Sequence, residues 1–390
     1  MLKNNKIISN ISYGITAFLF IFSYSLCFAV SLQLNIWYAL VTAITSSIIS
    51  VTLKSEVLAP DTFFTVPLLL VLSSNTNALL PFAVIVGGLI FIALSKKFKT
   101  YKIDPAVKSA LSLSLAFSVT ALLTTHYFGI GAEGFTVIEI LKTYRSLGFH
   151  PNWRGVFYGT ITLFCMITYP FKFRKANKYL PAEFFSLLLP LILNFILNPQ
   201  IEYTPINELK DNFDFISQSD LSFFLPSFNS NFDFSMQSYV NAFKGAFSVG
   251  ALLLLFNSKN TRTDSTGTTS ILNGIQGGFP VRNYKIRGYS LTSATVSVLL
   301  IVYACFFLDD VLMRIPLHSA AVVLIVNAWK QVPFGDLAKS FKNGVLSTAT
   351  IFILFIISIA TNIFITIILG IILNILLSYF NKSKGGAENG

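Results

Sequence analysis

The chain has 390 residues, of which Asp, Glu, Lys and Arg make up 12% and hydrophobic residues 54%; a soluble globular domain carries about 25% charged residues, so a water-soluble fold is disfavoured. Its 39 phenylalanines run from end to end, which excludes a single anchor on a soluble body, and its apolar residues come in unbroken runs rather than in alternation, which excludes a closed β-barrel. The excess of 28 Lys+Arg over 17 Asp+Glu, a net charge of +11, points to nucleic acid in a soluble protein but to cytoplasmic loops in a membrane protein.

At about 20 residues per crossing, the length admits roughly 12 to 14 crossings and no second soluble domain. The first apolar run, 8–32, is longer than the core of a signal peptide, about 7 to 15 residues, and reads as a retained helix. A second run covers 36–53. The third, 60–74, opens with Ala59-Pro60-Asp61-Thr62 after the polar Lys54-Ser55-Glu56. Proline suits the first turn of a helix, and Asp or Thr caps free N–H groups there. The run is short for a span, so it reads as a half-helix beginning inside the membrane.

Runs at 78–95, 107–131, 152–171 and 180–198 follow. The connection 199–235 then carries Glu202, Glu208, Asp211, Asp214, Asp220 and Asp233 against a lone Lys210. The run 236–257 holds Lys244 about two turns in, between Phe243 and Phe247. Two weakly hydrophobic stretches near 268–289 contain Gly277-Gly278-Phe279-Pro280-Val281-Arg282, a second glycine and proline interruption. Runs at 290–308, 316–331, 345–360 and 362–380 complete about fourteen elements.

Charge sets the orientation. With a cytoplasmic N-terminus, the basic groups Lys96, Lys97, Lys99 and Lys102, then Lys172, Arg174, Lys175 and Lys178, all fall inside, and the acidic 199–235 connection falls outside. Lys382, Lys384 and the glycine-rich tail 381–390 also fall inside. The reading is one transmembrane domain over 1–390, with a first repeat at 1–198 and a second at 236–380, in the cell membrane with both termini cytoplasmic. Cys27, Cys165 and Cys305 sit inside apolar runs, and His126, His150 and His318 are scattered. No metal site, cofactor or nucleic-acid partner is expected. Interrupted segments in both halves are the pattern of an inverted-repeat transporter with its site at the midplane.

At this point the chain resembles the SulP anion transporters, which share a seven-plus-seven inverted repeat with the uracil permeases. The resemblance rests on Gly277-Gly278-Phe279-Pro280 through Lys285-Ile286-Arg287, and on Arg314-Ile315-Pro316-Leu317-His318-Ser319 continuing to Ala328-Trp329. It also rests on Ala59-Pro60 with Thr62, Lys102-Ile103-Asp104-Pro105-Ala106-Val107, Leu225-Pro226-Ser227-Phe228, and Asn362 to Gly370, in the family's order. It implies an all-α membrane fold of about 14 elements with two half-helices meeting at the midplane. The implied activity is secondary active transport of a small anion of the sulfate, bicarbonate or carboxylate class, coupled to a proton or sodium ion, in a homodimer. It does not imply an enzyme. Family members commonly carry a cytoplasmic STAS domain, and none follows Lys384 here. The family's eighth-helix glutamate aligns with Gly250, the acidic residue of the last helix with Asn362, and several residues are missing between Pro280 and Arg287.

An oxyanion leaving water needs fixed donors and positive potential, which facing helix N-termini supply through free N–H groups and about half a positive charge each. Thr62, Phe63 and Phe64 are expected at the first end, and Val281, Arg282 and Asn283 at the second. By similarity to the family's first-helix contact, Ser23 and Tyr24 are expected in the wall. Asp61 is a helix cap, a proton- or cation-binding carboxylate, or the partner of Lys244; Lys244 is either that partner or snorkels to the surface. Three rival readings stay open. One is a nucleobase permease, for which Gln276 is the suggestive side chain; another is a membrane-embedded acyl or glycosyl transferase using the 199–235 carboxylates; the third is a nontransporting scaffold.

Overall fold

The computed structural model describes residues 2–31, 36–53, 57–72, 79–98, 103–130, 134, 136–197, 236–256, 263–284, 290–307, 315–342 and 344–387. The acidic connection 199–235 lies outside them. The first half contains α1 (Leu2–Ser31), α2 (Ile36–Thr52), β1 (Val57–Pro60), α3 (Thr62–Leu72), α4 (Leu80–Phe98), α5 (Pro105–Phe128), α6 (Val137–Leu147), α7 (Trp153–Lys172) and α8 (Ala182–Leu197). The second half contains α9 (Met236–Phe256), α10 (Thr263–Ile275), β2 (Val281–Tyr284), α11 (Leu291–Phe307), α12 (Leu317–Lys330), α13 (Phe334–Lys342), α14 (Val345–Ala360) and α15 (Ile363–Ala387).

The fold is all-α and polytopic. Among the described residues three stretches, Ile8–Ser31, Pro105–Phe128 and Ser238–Phe256, are long and apolar enough to cross a membrane singly. In other helices buried hydroxyls turn back onto their own backbone: Thr42 of α2 donates to the Tyr38 carbonyl at 2.6 Å and Thr269 of α10 to that of Ser265 at 2.6 Å, which satisfies them without water. α5 starts where Asp104 accepts the Ala106 N–H at 2.8 Å beside Pro105, and stops at Gly129, whose φ of 70° few other residues adopt. Two helices had no counterpart among the apolar runs. α6 and α13 are short and two-faced, and α6 opens with a capping box between Thr136 and Glu139. α15 runs on through Lys382 to Ala387, into the stretch read above as tail.

The packing repeats. α4 lies on α9 and α10, as α11 lies on α1 and α2; α14 lies on α5, as α7 lies on α12; α8 lies on α1, as α15 lies on α9. These pairs sort the helices into two bundles, α1–α4 with α9–α11 and α5–α8 with α12–α15, which meet along α1, α3 and α9. One equivalence fails. α3 is seated between α9 and α5, whereas their counterparts α1 and α12 pack directly on each other. Among the described residues no helix takes α3's place in the second half: β2 leads through 285–289 to α11.

Candidate functional site

The site grows from the only sheet among the described residues. β1 and β2 pair antiparallel, with Val57 opposite Tyr284, Leu58 opposite Asn283, Ala59 opposite Arg282 and Pro60 opposite Val281. A two-stranded sheet leaves two edges unpaired, and inside a membrane these need other partners. Helix side chains provide them: Ser50 of α2 accepts the Leu58 N–H at 3.1 Å, Ser270 of α10 the Val281 N–H at 3.5 Å, and Thr42 the Phe279 N–H at 2.8 Å. Asn273 donates to the Phe279 carbonyl at 3.0 Å.

Side chains alternate across a strand, so Arg282 and Tyr284 share one face of β2 while Val281 and Asn283 take the other. Val281 packs with Ile49 and Leu58, and Asn283 donates to Thr266 of α10 at 3.2 Å. This corrects the sequence expectation: Val281, Arg282 and Asn283 are a strand, not a helix N-terminus, and only Arg282 of the three faces the site. Tyr284 joins it there.

Opposite them stands the start of α3, whose 11 residues span about 16 Å, half a bilayer core. Asp61 is fully buried and caps it. Its Oδ1 accepts the Phe63 N–H at 2.8 Å, and its carbonyl accepts the Phe64 and Thr65 N–H groups at 3.2 and 3.0 Å. Oδ2 accepts the Tyr284 hydroxyl at 3.0 Å and faces Nη1 of Arg282 at 3.6 Å. The same Nη1 donates to Oε1 of Gln331, the residue after α12, at 2.6 Å. Arg282 thus joins the capped helix end in one bundle to the other bundle.

α1 closes the wall. Tyr24 and Thr62 share a hydrogen bond of 2.5 Å between their hydroxyls. Phe20, Tyr24 and Phe28 recur at i, i+4 and i+8, and the Tyr24 ring meets those of Phe28 and Tyr284 edge-on at 5.2 and 6.1 Å. Ser23 is buried on the same turn, but the hydrogen bonds run through Tyr24. Phe63 and Phe64 are buried, and Phe63 packs on Phe256 at 5.5 Å. Thr65, three residues after Thr62, keeps a buried hydroxyl without a hydrogen-bond partner. It went unnoticed in the sequence, as did Tyr284 and Gln331.

Two other expectations are corrected. Asp61 is paired with Arg282, not Lys244: Phe63 meets α9 at Phe256, and Lys244 is twelve residues earlier, about 18 Å along the axis. Among the described residues Lys244 makes no ion pair. Gly250 does not mark a lost carboxylate at the site, because it faces α4. A Cβ there would lie 2.7 Å from Cγ2 of Ile90 and 3.0 Å from the Gly87 carbonyl oxygen. Asn362 caps α15 by accepting the Phe364 N–H at 3.0 Å, and Gln276 accepts from Thr45 of α2 at 2.6 Å.

No family model and no curated protein matches the chain by sequence. Its fold matches solved structures. Against the transmembrane domain of a cyanobacterium bicarbonate transporter, BicA, the TM-score is 0.64 at 14% identity, over 95% of this chain and 97% of that one. The murine Slc26a9 anion transporter in its inward-facing state gives 0.72 at 10% identity, over 96% of this chain and 68% of that one. A second structure of SLC26A9 gives 0.66 at 12% identity, over 96% and 66%.

Proposed function

We propose that the protein carries a small anion across the cell membrane by alternating access of its two bundles. The observation that carries this reading is the start of α3, a helix N-terminus buried beside the Arg282 guanidinium at the seam between bundles, in a fold like those of a bicarbonate transporter and an anion transporter. A helix end supplies about half a positive charge and oriented N–H donors. Arg282 adds a full charge and a fork that matches an oxyanion. It takes over the part that a second half-helix would otherwise play. In this reading Thr62, Thr65 and the backbone around Phe63 and Phe64 face the anion from one side, Arg282 and Tyr284 from the other, and Tyr24 forms the wall. Sulfate, bicarbonate and small carboxylates share the chemistry that such donors accept. Both termini lie on the cytoplasmic side, and the protein assembles as a homodimer.

Counterflow of labelled sulfate, bicarbonate and dicarboxylates in proteoliposomes tests it. Accumulation of label against internal unlabelled anion is expected for at least one of these, with loss of more than tenfold in Thr62→Trp, whose indole would fill the space at the helix end. Absence of counterflow for every anion, with correctly folded protein in the vesicles, would overturn the reading.

A further inference from the structure

This inference rests on the transport reading above and concerns what occupies its site. Asp61 places a carboxylate of the protein where an anion's oxygens would sit: Oδ1 takes the Phe63 N–H at 2.8 Å, and Oδ2 takes the Tyr284 hydroxyl at 3.0 Å and faces Arg282 at 3.6 Å. The strongest donors available to a substrate are therefore engaged already. Asp61 is 0% exposed, while the Arg282 side chain is 29% exposed, so the arginine is partly open and its carboxylate partner is not. We propose that Asp61 is a resident counter-anion whose place the substrate takes, and that a proton arriving on Oδ2 is what frees Arg282 for it.

Charge decides the coupling. With Asp61 ionised and Arg282 protonated the empty site is neutral. A monovalent anion entering alone would leave one uncompensated negative charge in low dielectric, which is strongly disfavoured. An anion entering with one proton leaves the site neutral again, since Asp61 becomes a carboxylic acid and Arg282 pairs with the substrate. The proton comes from bulk water and returns to it when the anion leaves. One proton therefore accompanies each anion.

Among the residues whose side chains are described, Asp61 is the only buried carboxylate. Tyr24 from α1 is bonded to Thr62, and Arg282 and Tyr284 come from β2. Glu183 of α8 is paired with Lys330 of α12 at 3.9 Å. α2 and α3 contain no charged residue, α9 has Lys244 two turns from its far end, α10 has Asp264 at its start, and α5 has an exposed Lys108 in its first turn and His126 in its last. His318, in the first turn of α12, is buried against Gly155 of α7 and Gly129 at the end of α5. Lys96 and Lys97 of α4 and Lys382 and Lys384 of α15 lie at the ends of their helices.

Proteoliposomes separate this inference from the reading beneath it. Tracer exchange of chloride, bicarbonate and sulfate at equal internal and external pH tests transport alone. A chloride gradient imposed on vesicles loaded with a pH dye then tests coupling. In the wild type the lumen should acidify by one proton per tracer chloride without developing a potential. Because one proton is linked to binding, apparent chloride affinity should fall about tenfold for each pH unit above the carboxyl's titration range. Asp61→Asn should hold its affinity within about twofold across pH and move no protons. Tracer exchange in the wild type without acidification overturns the role of Asp61 and leaves transport standing, and needs no variant to fold. Coupling that survives in Asp61→Asn overturns it as well. No exchange of any tracer removes both.

Discussion

Asp61 and Arg282 are 221 positions apart in the chain and adjacent in the site, and each makes the other's burial tolerable. A buried ion pair adds little to stability by itself, but removing one partner leaves the other's charge uncompensated, at about 3 to 5 kcal/mol. Arg282→Gln strands the fully buried Asp61 and should destabilise by about 3 kcal/mol, at the low end because the guanidinium is partly exposed. The loss should appear as a lower unfolding midpoint of the detergent-purified protein. Adding Asp61→Asn removes the stranded charge, so the double variant should be more stable than Arg282→Gln alone. Additive losses would show that the two residues act separately. The pair was not legible in the sequence. Asp61 announced itself through Ala59-Pro60-Asp61-Thr62, but its partner is chosen by the β1–β2 register, which no local pattern encodes. Lys244 drew attention because a charge inside an apolar run is rare, yet it lies about 18 Å along α9 from Phe256, where that helix meets the start of α3.

At the scale of elements, close approach of helices carries much of the fold. Without a hydrophobic force between helices in lipid, small residues that let backbones meet become the adhesive. α4 contributes Gly87 and Gly88, which face α9 and α10, and Gly250 of α9 and Gly267 and Gly274 of α10 answer it. In the other half Gly14 of α1 lies against Ser293 and Val296 of α11. Gly250→Ala puts a methyl 2.7 Å from Cγ2 of Ile90 and 3.0 Å from the Gly87 carbonyl oxygen. It should lower stability by about 1 to 3 kcal/mol through overpacking, read as a fall in unfolding midpoint. A family comparison makes Gly250 look like a vacated functional position, and an unchanged midpoint would restore that view. The apolar runs located the crossings because hydropathy reports burial in lipid directly. α6 and α13 escaped because one polar face dilutes the average, and β2 escaped because four residues are too few to show alternation.

The proposed orientation of the whole molecule rests on the charge in its connections. Lys172, Arg174, Lys175 and Lys178 crowd the turn between α7 and α8, all are exposed there, and none forms a salt bridge among the described residues. Lys and Arg near the ends of membrane helices resist translocation, whereas acidic residues contribute little to orientation. In the orientation proposed above this turn is cytoplasmic, and the acidic connection 199–235, with six carboxylates against Lys210, is expected on the opposite side, with both termini inside. In a variant with Cys27, Cys165 and Cys305 replaced, a cysteine at Ser219 should react with an impermeant thiol reagent in intact cells. One at Lys175 should react only after the membrane is opened. Labelling of Lys175→Cys in intact cells, with protection of Ser219→Cys, would invert the molecule. It would also turn the proposed site at the α3 end and Arg282 over with respect to the two faces of the membrane.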